Sequence, residues 1–441
     1  MSLIQPILFA LITLATFAFA FSRYKRIFDN IGLGKPEEIE GSFNNMMLFA
    51  LGQRKMFRNL LVAFLHGAIY VAFLFTQVEL IEIFIDGFTG KHRIVYHAIE
   101  DSALLKGLYV GLVSSIEILS LFALIATFIF LARRNLLKVP RFVKPEMKGW
   151  PKLDGNIILY LEIVLVIGVF TMNGADEALY RSGAYGYEGS YHFALSSTVI
   201  WHFFAGMSEQ TIHVIERIGW WLHILVVYSF LLYIPGSKHL HVFLAFPNTY
   251  FTRTEQWGKM RNMPEIQNEI KMMMDPSAAP AGEMPPPPDR FGAKDVTDLS
   301  WKQLMDAYSC TECGRCTDAC PANQTGKKLS PRKIMMDTRD RLEIVGENKR
   351  QHGADHDDDK ALLGDFISPE ELRACTTCNA CVQECPVNIN PLSIILELRR
   401  HLILDQSDSP EAWTSMFTNV ENNGAPWAFP AADRANWTED I

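Results

Sequence analysis

A mainly α-helical chain, with five helices crossing a membrane and a separate helical domain beyond them, is the fold class this sequence predicts. Three observations carry it. Of 441 residues, 49% are apolar and 20% charged, but the apolar ones crowd into roughly the first 245 positions. Charged and proline-rich stretches fill the rest. All eight cysteines fall between Cys310 and Cys385. A secreted disulfide scaffold would be short and would spread its cysteines through the fold, so that class is excluded. A net charge of −8 argues against nucleic acid as partner, because a phosphate-binding surface needs a basic excess.

Residues 4–21, 60–85, 107–131, 157–172 and 215–234 are apolar runs near or above the about 20 residues that span a bilayer. A sixth stretch, 193–207, is shorter, carries Trp201 and His202, and reads as an interfacial helix. Residues 172–191 are rich in Gly and Tyr and read as a surface loop. The first run contains Ala18-Phe19-Ala20, which resembles a signal-peptidase site, but no positive charge precedes it before Arg23. It is expected to be a retained helix with its N-terminus outside. Lys and Arg number seven in residues 23–58 and seven in 132–152, against three in 86–106 and one in 173–214. This obeys the positive-inside rule with the cysteine-rich part in the cytoplasm, a reducing compartment.

Ionisable side chains inside the apolar runs are the first functional candidates. His66 lies in the second run and His223 in the fifth, and His241 follows His223 by 18 residues, about five helical turns. Imidazoles from facing helices of a bundle hold haem iron. His66 and His223 are expected to pair on one haem b, with His241 serving a second, more cytoplasmic one if it exists. The competing reading for each is an interhelical hydrogen bond. His213, Glu117 and Glu162 are candidates for contact with quinone or for carrying its protons, against a structural role at each. His92, His97 and His192 read as outer surface residues.

Pro285–Pro288 lies in a stretch, 276–288, that cannot bury a core and reads as a stiff spacer. Beyond it, Cys310-Thr-Glu-Cys313-Gly-Arg-Cys316-Thr-Asp-Ala-Cys320-Pro321 repeats as Cys375-Thr-Thr-Cys378-Asn-Ala-Cys381-Val-Gln-Glu-Cys385-Pro386. In this C-x₂-C-x₂-C-x₃-C-P pattern three thiolates wrap one cubane and the fourth reaches the other. Cys310, Cys313, Cys316 and Cys385 are therefore expected to hold one [4Fe–4S] cluster, and Cys375, Cys378, Cys381 and Cys320 a second. Paired zinc sites are the alternative, but they would not need three thiolates per loop and a crossed fourth. Between the motifs, residues 327–343 and 368–373 read as helices, and the acidic run 355–359 as a solvated loop. The fold class is thus a five-helix transmembrane bundle (1–245), an amphipathic and Pro-rich linker (246–294), a cytoplasmic α-helical ferredoxin-type domain with two [4Fe–4S] clusters (295–406) and a C-terminal docking tail (407–441).

The stretch from Trp220 to His241, with Pro235-Gly236-Ser237-Lys238 before its final His, resembles the last haem-bearing helix of the respiratory nitrate reductase gamma subunit. The cysteine half resembles the iron–sulfur part of heterodisulfide reductase. Together they resemble the membrane-bound, heterodisulfide-reductase-related iron–sulfur oxidoreductases. That resemblance implies a bacterial or archaeal cytoplasmic membrane and a quinone, menaquinone or ubiquinone, as substrate. It also implies a partner subunit with CCG-type cysteine motifs, and a flavoprotein as a further partner. Two departures stand out. Met56 occupies the place of a further ligand histidine. The tail, with Asn422-Asn423-Gly424-Ala425-Pro426-Trp427, is similar to the segment that precedes the CCG domain in fused relatives, and no CCG motif follows. The tail's aromatic residues, on a stretch broken by Gly424, Pro426 and Pro430, are expected to form no long helix and to dock that partner. The expected function is membrane-bound respiratory electron transfer between the quinone pool, haem b and the two clusters, to or from the CCG partner. A pure relay without a quinone site and a redox sensor are the alternatives.

Overall fold

The computed structural model describes residues 4–187, 193–253, 258–275 and 290–439. Among these residues helices dominate and the only β pairings are two isolated bridges. Five helices are long and apolar enough to span a bilayer: α1 (Ile4–Ile31), α2 (Leu60–Thr89), α3 (Ala103–Asn135), α4 (Trp150–Ser182) and α5 (Glu209–Tyr233). Exposed Ile7, Leu11 and Leu14 recur on one side of α1, at the spacing of a helix face turned to lipid.

Each helix outruns its apolar stretch, α4 most of all. The expected loop after Met172 is instead helical as far as Ser182. Its polar residues turn inward, where Asn173 and Asp176 bind the buried Arg93. That guanidinium also reaches Glu79 at 3.1 Å and Glu82 at 3.4 Å. A charge so deeply buried persists only when it is paired and hydrogen-bonded. His92, expected at the surface, is drawn into the same network, its Nε2 3.3 Å from Asp176. His97 is exposed as expected, and His192 lies outside the described residues. The stretch from 193 forms two short helical pieces, Ala194–Thr198 and Ile200–Phe204.

Helices α4 and α5 approach closely because glycine faces backbone on both sides. A Cβ at Gly219 would lie 2.8 Å from the Met172 nitrogen, and one at Gly168 would lie 3.2 Å from the His223 nitrogen. Small residues at such crossings permit the packing that holds membrane helices together. Gly219→Val is therefore expected to destabilise the bundle by about 1–3 kcal/mol, read as an earlier thermal transition of the protein in detergent.

Six further α-helices of eight residues or more follow among the described residues: α6 (His241–Tyr250), α7 (Pro264–Met274), α8 (Trp301–Tyr308), α9 (Pro331–His352), α10 (Pro391–Leu404) and α11 (Glu411–Asn423). Helix α9 starts with Ser330 accepting from the Lys333 N–H and Pro331 in its first turn, the usual start signals, and continues past the expected end at 343. The acidic loop after it is not merely solvated, since Asp358 takes both Nη atoms of Arg341, at 2.7 and 2.8 Å.

The two halves are not held apart by a spacer. Ile27 and Ile31 of α1, and Ile234, Leu240 and Leu244 around the end of α5, share one core with Leu304, Ile334, Ile394 and Leu398. Asn30 on α1 donates to Tyr308 at 2.8 Å, and Arg26 pairs with Glu343. The Pro-rich stretch 276–288 lies outside the described residues. The tail also departs from expectation. It opens with the 13-residue α11, none of whose residues is buried, and Trp413, Met416, Phe417 and Val420 form an exposed apolar face along it.

Candidate functional site

The cysteine loops are built on matching backbone. Glu312 and Gly314 in the first motif, and Thr377 and Asn379 in the second, all take positive φ, between 53° and 75°. These left-handed residues curl each loop around its sulfurs, and the glycine adopts that shape at no steric cost. Backbone N–H groups then point at sulfur, with Thr377 N 3.4 Å from Cys375 Sγ and Ile389 N 3.3 Å from Cys385 Sγ.

The structure brings the cysteines together in the crossed arrangement. Cys385 has Cys313 and Cys310 as its electrostatic neighbours. Cys320 joins Cys375, Cys378 and Cys381 around one small cavity. No three sulfurs among the described residues lie within 4.8 Å of one another. Burial pushes the Cys310, Cys381 and Cys385 thiols up to about 12. Iron must therefore displace protons as it binds. Only Cys378 is exposed.

The histidines fall differently from their expected pairing. His66 sits with His239 and His241, whereas His223 lies on α5 where it crosses α4. Depth explains the difference. His66 is six residues from Leu60 at the domain-facing end of α2, and His223 is thirteen from Gly236, where the fifth span, α5 and the turn after it, ends on the same side. The seven-residue gap is about 10 Å of helix rise. Burial, then the charges of His241 and His66, push His239 down to about 3.

His66 and His241 are prepared alike. His66 Nδ1 lies 3.0 Å from Gln53 Oε1, and His241 Nδ1 lies 3.0 Å from the Lys238 carbonyl oxygen. Each acceptor fixes the proton on Nδ1, and no hydrogen bond reaches either Nε2 among the described residues. This is the tautomer a metal-binding imidazole needs. A Cβ at Gly67 would meet no atom within 4 Å, so there is open space beside His66. Two imidazoles held in this tautomer are the donor type that a haem iron takes.

The remaining candidates separate. Glu117 accepts from Leu195 N at 2.8 Å, Ser196 N at 3.1 Å and Asn173 Nδ2 at 3.3 Å, as well as from the Ser196 hydroxyl. A carboxylate so fully bonded anchors the segment 194–198, which is the structural role weighed against a proton-carrying one. His213 is exposed near the start of α5, its ring 5.9 Å from that of Tyr187. Glu162 is half-buried in the middle of α4. Neither lies in the imidazole group.

Several residues at the junction carried weaker signals or none. Lys238 is buried and binds Glu312, inside the first cysteine loop, and the Pro151 carbonyl at 2.6 Å. Although burial opposes it, Lys238 and Arg339 hold the Glu312 carboxyl below its usual range. Lys55 donates to the carbonyls of Cys385 at 3.1 Å and Val382 at 3.4 Å. Arg315, between Cys313 and Cys316, donates to the Lys55 carbonyl at 3.0 Å, and Arg58 pairs with Glu384. Lys238 stands inside the Pro-to-His motif and Glu312 inside the cysteine motif, so both were visible. Gln53 and Lys55 had no sequence signal.

Spanning helices joined to a double cysteine-loop domain define a membrane-associated chain with an iron–sulfur domain. Comparison with known proteins agrees: residues 309–389 match the 4Fe-4S dicluster domain. The chain is 26% identical to the probable iron-sulfur-binding oxidoreductase FadF of Bacillus subtilis, over 93% of this chain and 57% of that protein. It is 26% identical to the EtfAB:quinone oxidoreductase of Syntrophomonas wolfei, over 89% of this chain and 53% of that one. One polypeptide of the ferredoxin/F(420)H(2)-dependent CoB-CoM heterodisulfide reductase of Methanosarcina acetivorans is 34% identical over 27% of this chain and 60% of its own length. The relatives are thus iron–sulfur oxidoreductases and heterodisulfide reductase subunits. The chain spans about half the length of the first two. No solved structure matches it.

Proposed function

We propose that this chain is a membrane-bound respiratory electron-transfer subunit. It moves electrons between the quinone pool, a haem b held by His66 and His241, and two [4Fe–4S] clusters on the cytoplasmic side, to or from a partner with CCG-type cysteine motifs. The observation that carries the reading is the pair of imidazoles with Nδ1 held by an acceptor, the His66 side linked through Gln53 and Lys55 to the loop that ends in Cys385. Haem and clusters, when bound, supply one-electron chemistry. The chain's own residues hold the two imidazoles in one tautomer, bury seven of the eight sulfurs wholly or in part, and fix the spacing between the groups. A quinone link is supported by the name of the Syntrophomonas relative, and the CCG partner by the likeness to heterodisulfide reductase. The exposed face of α11 suits such a partner, because aromatic anchors dominate protein interfaces. Arg373, two residues before Cys375, binds Asp408 at 2.8 Å, which places the root of α11 beside the second cysteine loop.

The test is optical. The purified chain is mixed with menaquinol or ubiquinol, and the haem α-band is followed. Reduction by either quinol is expected without any partner. A haem that stays oxidised with both quinols, yet reduces with dithionite, would leave the chain as a relay with no quinone site.

A further inference from the structure

Each of the two imidazoles is tied to the residues of the first ligand set, Cys310, Cys313, Cys316 and Cys385, by a path only a few residues long. From His66 the path runs from Nδ1 to Gln53, then along the chain to Lys55, whose ammonium donates to the Cys385 carbonyl at 3.1 Å. From His241 it runs from Nδ1 to the Lys238 carbonyl at 3.0 Å, and the same lysine's ammonium binds Glu312, between Cys310 and Cys313. One lysine therefore grips each end of the ligand set made by Cys310, Cys313, Cys316 and Cys385. Both come from the membrane half, and both reach across the junction.

The surroundings hold these contacts in place. The Asp154 carboxylate accepts from the backbone N–H of Lys238 at 3.1 Å and from the Ser237 and Tyr233 hydroxyls, each at 2.6 Å. Arg339 shares Glu312 from the far side at 2.8 Å. Arg315 returns a hydrogen bond to the Lys55 carbonyl, so the two elements clasp each other. The second ligand set is linked by longer contacts: the Lys55 ammonium also reaches the Val382 carbonyl, next to Cys381, at 3.4 Å, and Arg141 lies 3.7 Å from Asp318, two residues before Cys320. Its cation is Arg399, which donates to the Cys375 carbonyl at 2.5 Å from within the same domain.

We propose that Lys55 and Lys238 are positioning residues that make the Cys310–Cys313–Cys316–Cys385 cluster the electron partner of the imidazole pair and set its reduction potential. A fixed positive charge beside a cluster favours the added electron, and net charge and hydrogen bonding are the protein's means of tuning such potentials. The inference rests on the proposed function for the presence of the clusters, but needs neither quinone nor partner.

The experiment is an EPR-monitored redox titration of the full chain with both clusters in place. Cys310→Ser identifies the signal of the first cluster. Lys55→Met and Lys238→Met are each expected to shift that cluster's midpoint to lower potential and to move the other's less, with iron content kept. Lys55→Arg and Lys238→Arg are expected to restore it. If both clusters assemble and the first midpoint stays put in both Met variants, or both clusters shift equally, the inference is wrong. A preparation in which the wild-type chain never shows two clusters would sink the proposed function instead.

Discussion

Replacing Cys385 by Ser is expected to damage the cluster of the first cysteine loop, although Cys385 belongs to the second. Cys320→Ser is expected to do the reverse. The reason is the crossing: Cys385 lies with Cys310 and Cys313, and Cys320 with Cys375, Cys378 and Cys381. Either change leaves a buried loop with three thiolates, which holds a cubane poorly and oxidises readily. The expected loss is about half of the roughly eight non-haem irons, with one EPR signal surviving. Comparing each single variant with Cys310→Ser and Cys375→Ser checks the assignment. If Cys385→Ser and Cys375→Ser remove the same signal, the crossing is wrong.

The second large effect concerns haem. Alanine at His66 or at His241 is expected to remove the same low-spin haem, because both imidazoles present a free Nε2 and lie in one group. His223→Ala is expected to keep it. Its backbone lies against α4 at the α4–α5 crossing, about 10 Å deeper along the helix and apart from the group of His66, His239 and His241. Gln53→Leu is the subtler probe. It leaves the ligand in place but removes the acceptor that orients His66, and such losses typically cost 10- to 100-fold in affinity, by order of magnitude. Pyridine haemochrome content and the low-spin EPR signal report on all four variants. Loss of the haem in His223→Ala, with retention in His241→Ala, would restore the pairing that the sequence suggested.

What the sequence could and could not reveal divides along physical lines. Cysteine spacing is local, and the thiolates of one loop are set by a few backbone angles, so both motifs and their crossing were legible before any fold. Five spans were equally plain, since apolar length is a local property. Their ends were not. Asn173 and Asp176 look like loop residues until the buried Arg93, some eighty positions away, provides their partner. The grouping of the histidines was hidden for a related reason. Interval along one helix shows which face a residue occupies, but pairing across helices depends on where each helix enters the membrane. The start of α2 is fixed by Lys55 and Arg58 gripping the Cys385 loop, a contact between residues more than three hundred positions apart. Lys238 was quoted within its motif, and only its partner Glu312 explains why an ammonium should be buried there.

The most direct measurement is the metal content of one preparation of the whole chain, purified in detergent under haem-replete, anaerobic conditions. Iron, acid-labile sulfide, zinc and haem are determined together on wild type and on His241→Ala. The account predicts about eight non-haem irons and about eight sulfides per chain, no zinc in their place, and one haem b that is absent from His241→Ala while the non-haem iron is unchanged. About four or fewer non-haem irons, zinc at the cysteines, or a haem indifferent to His241 would contradict it.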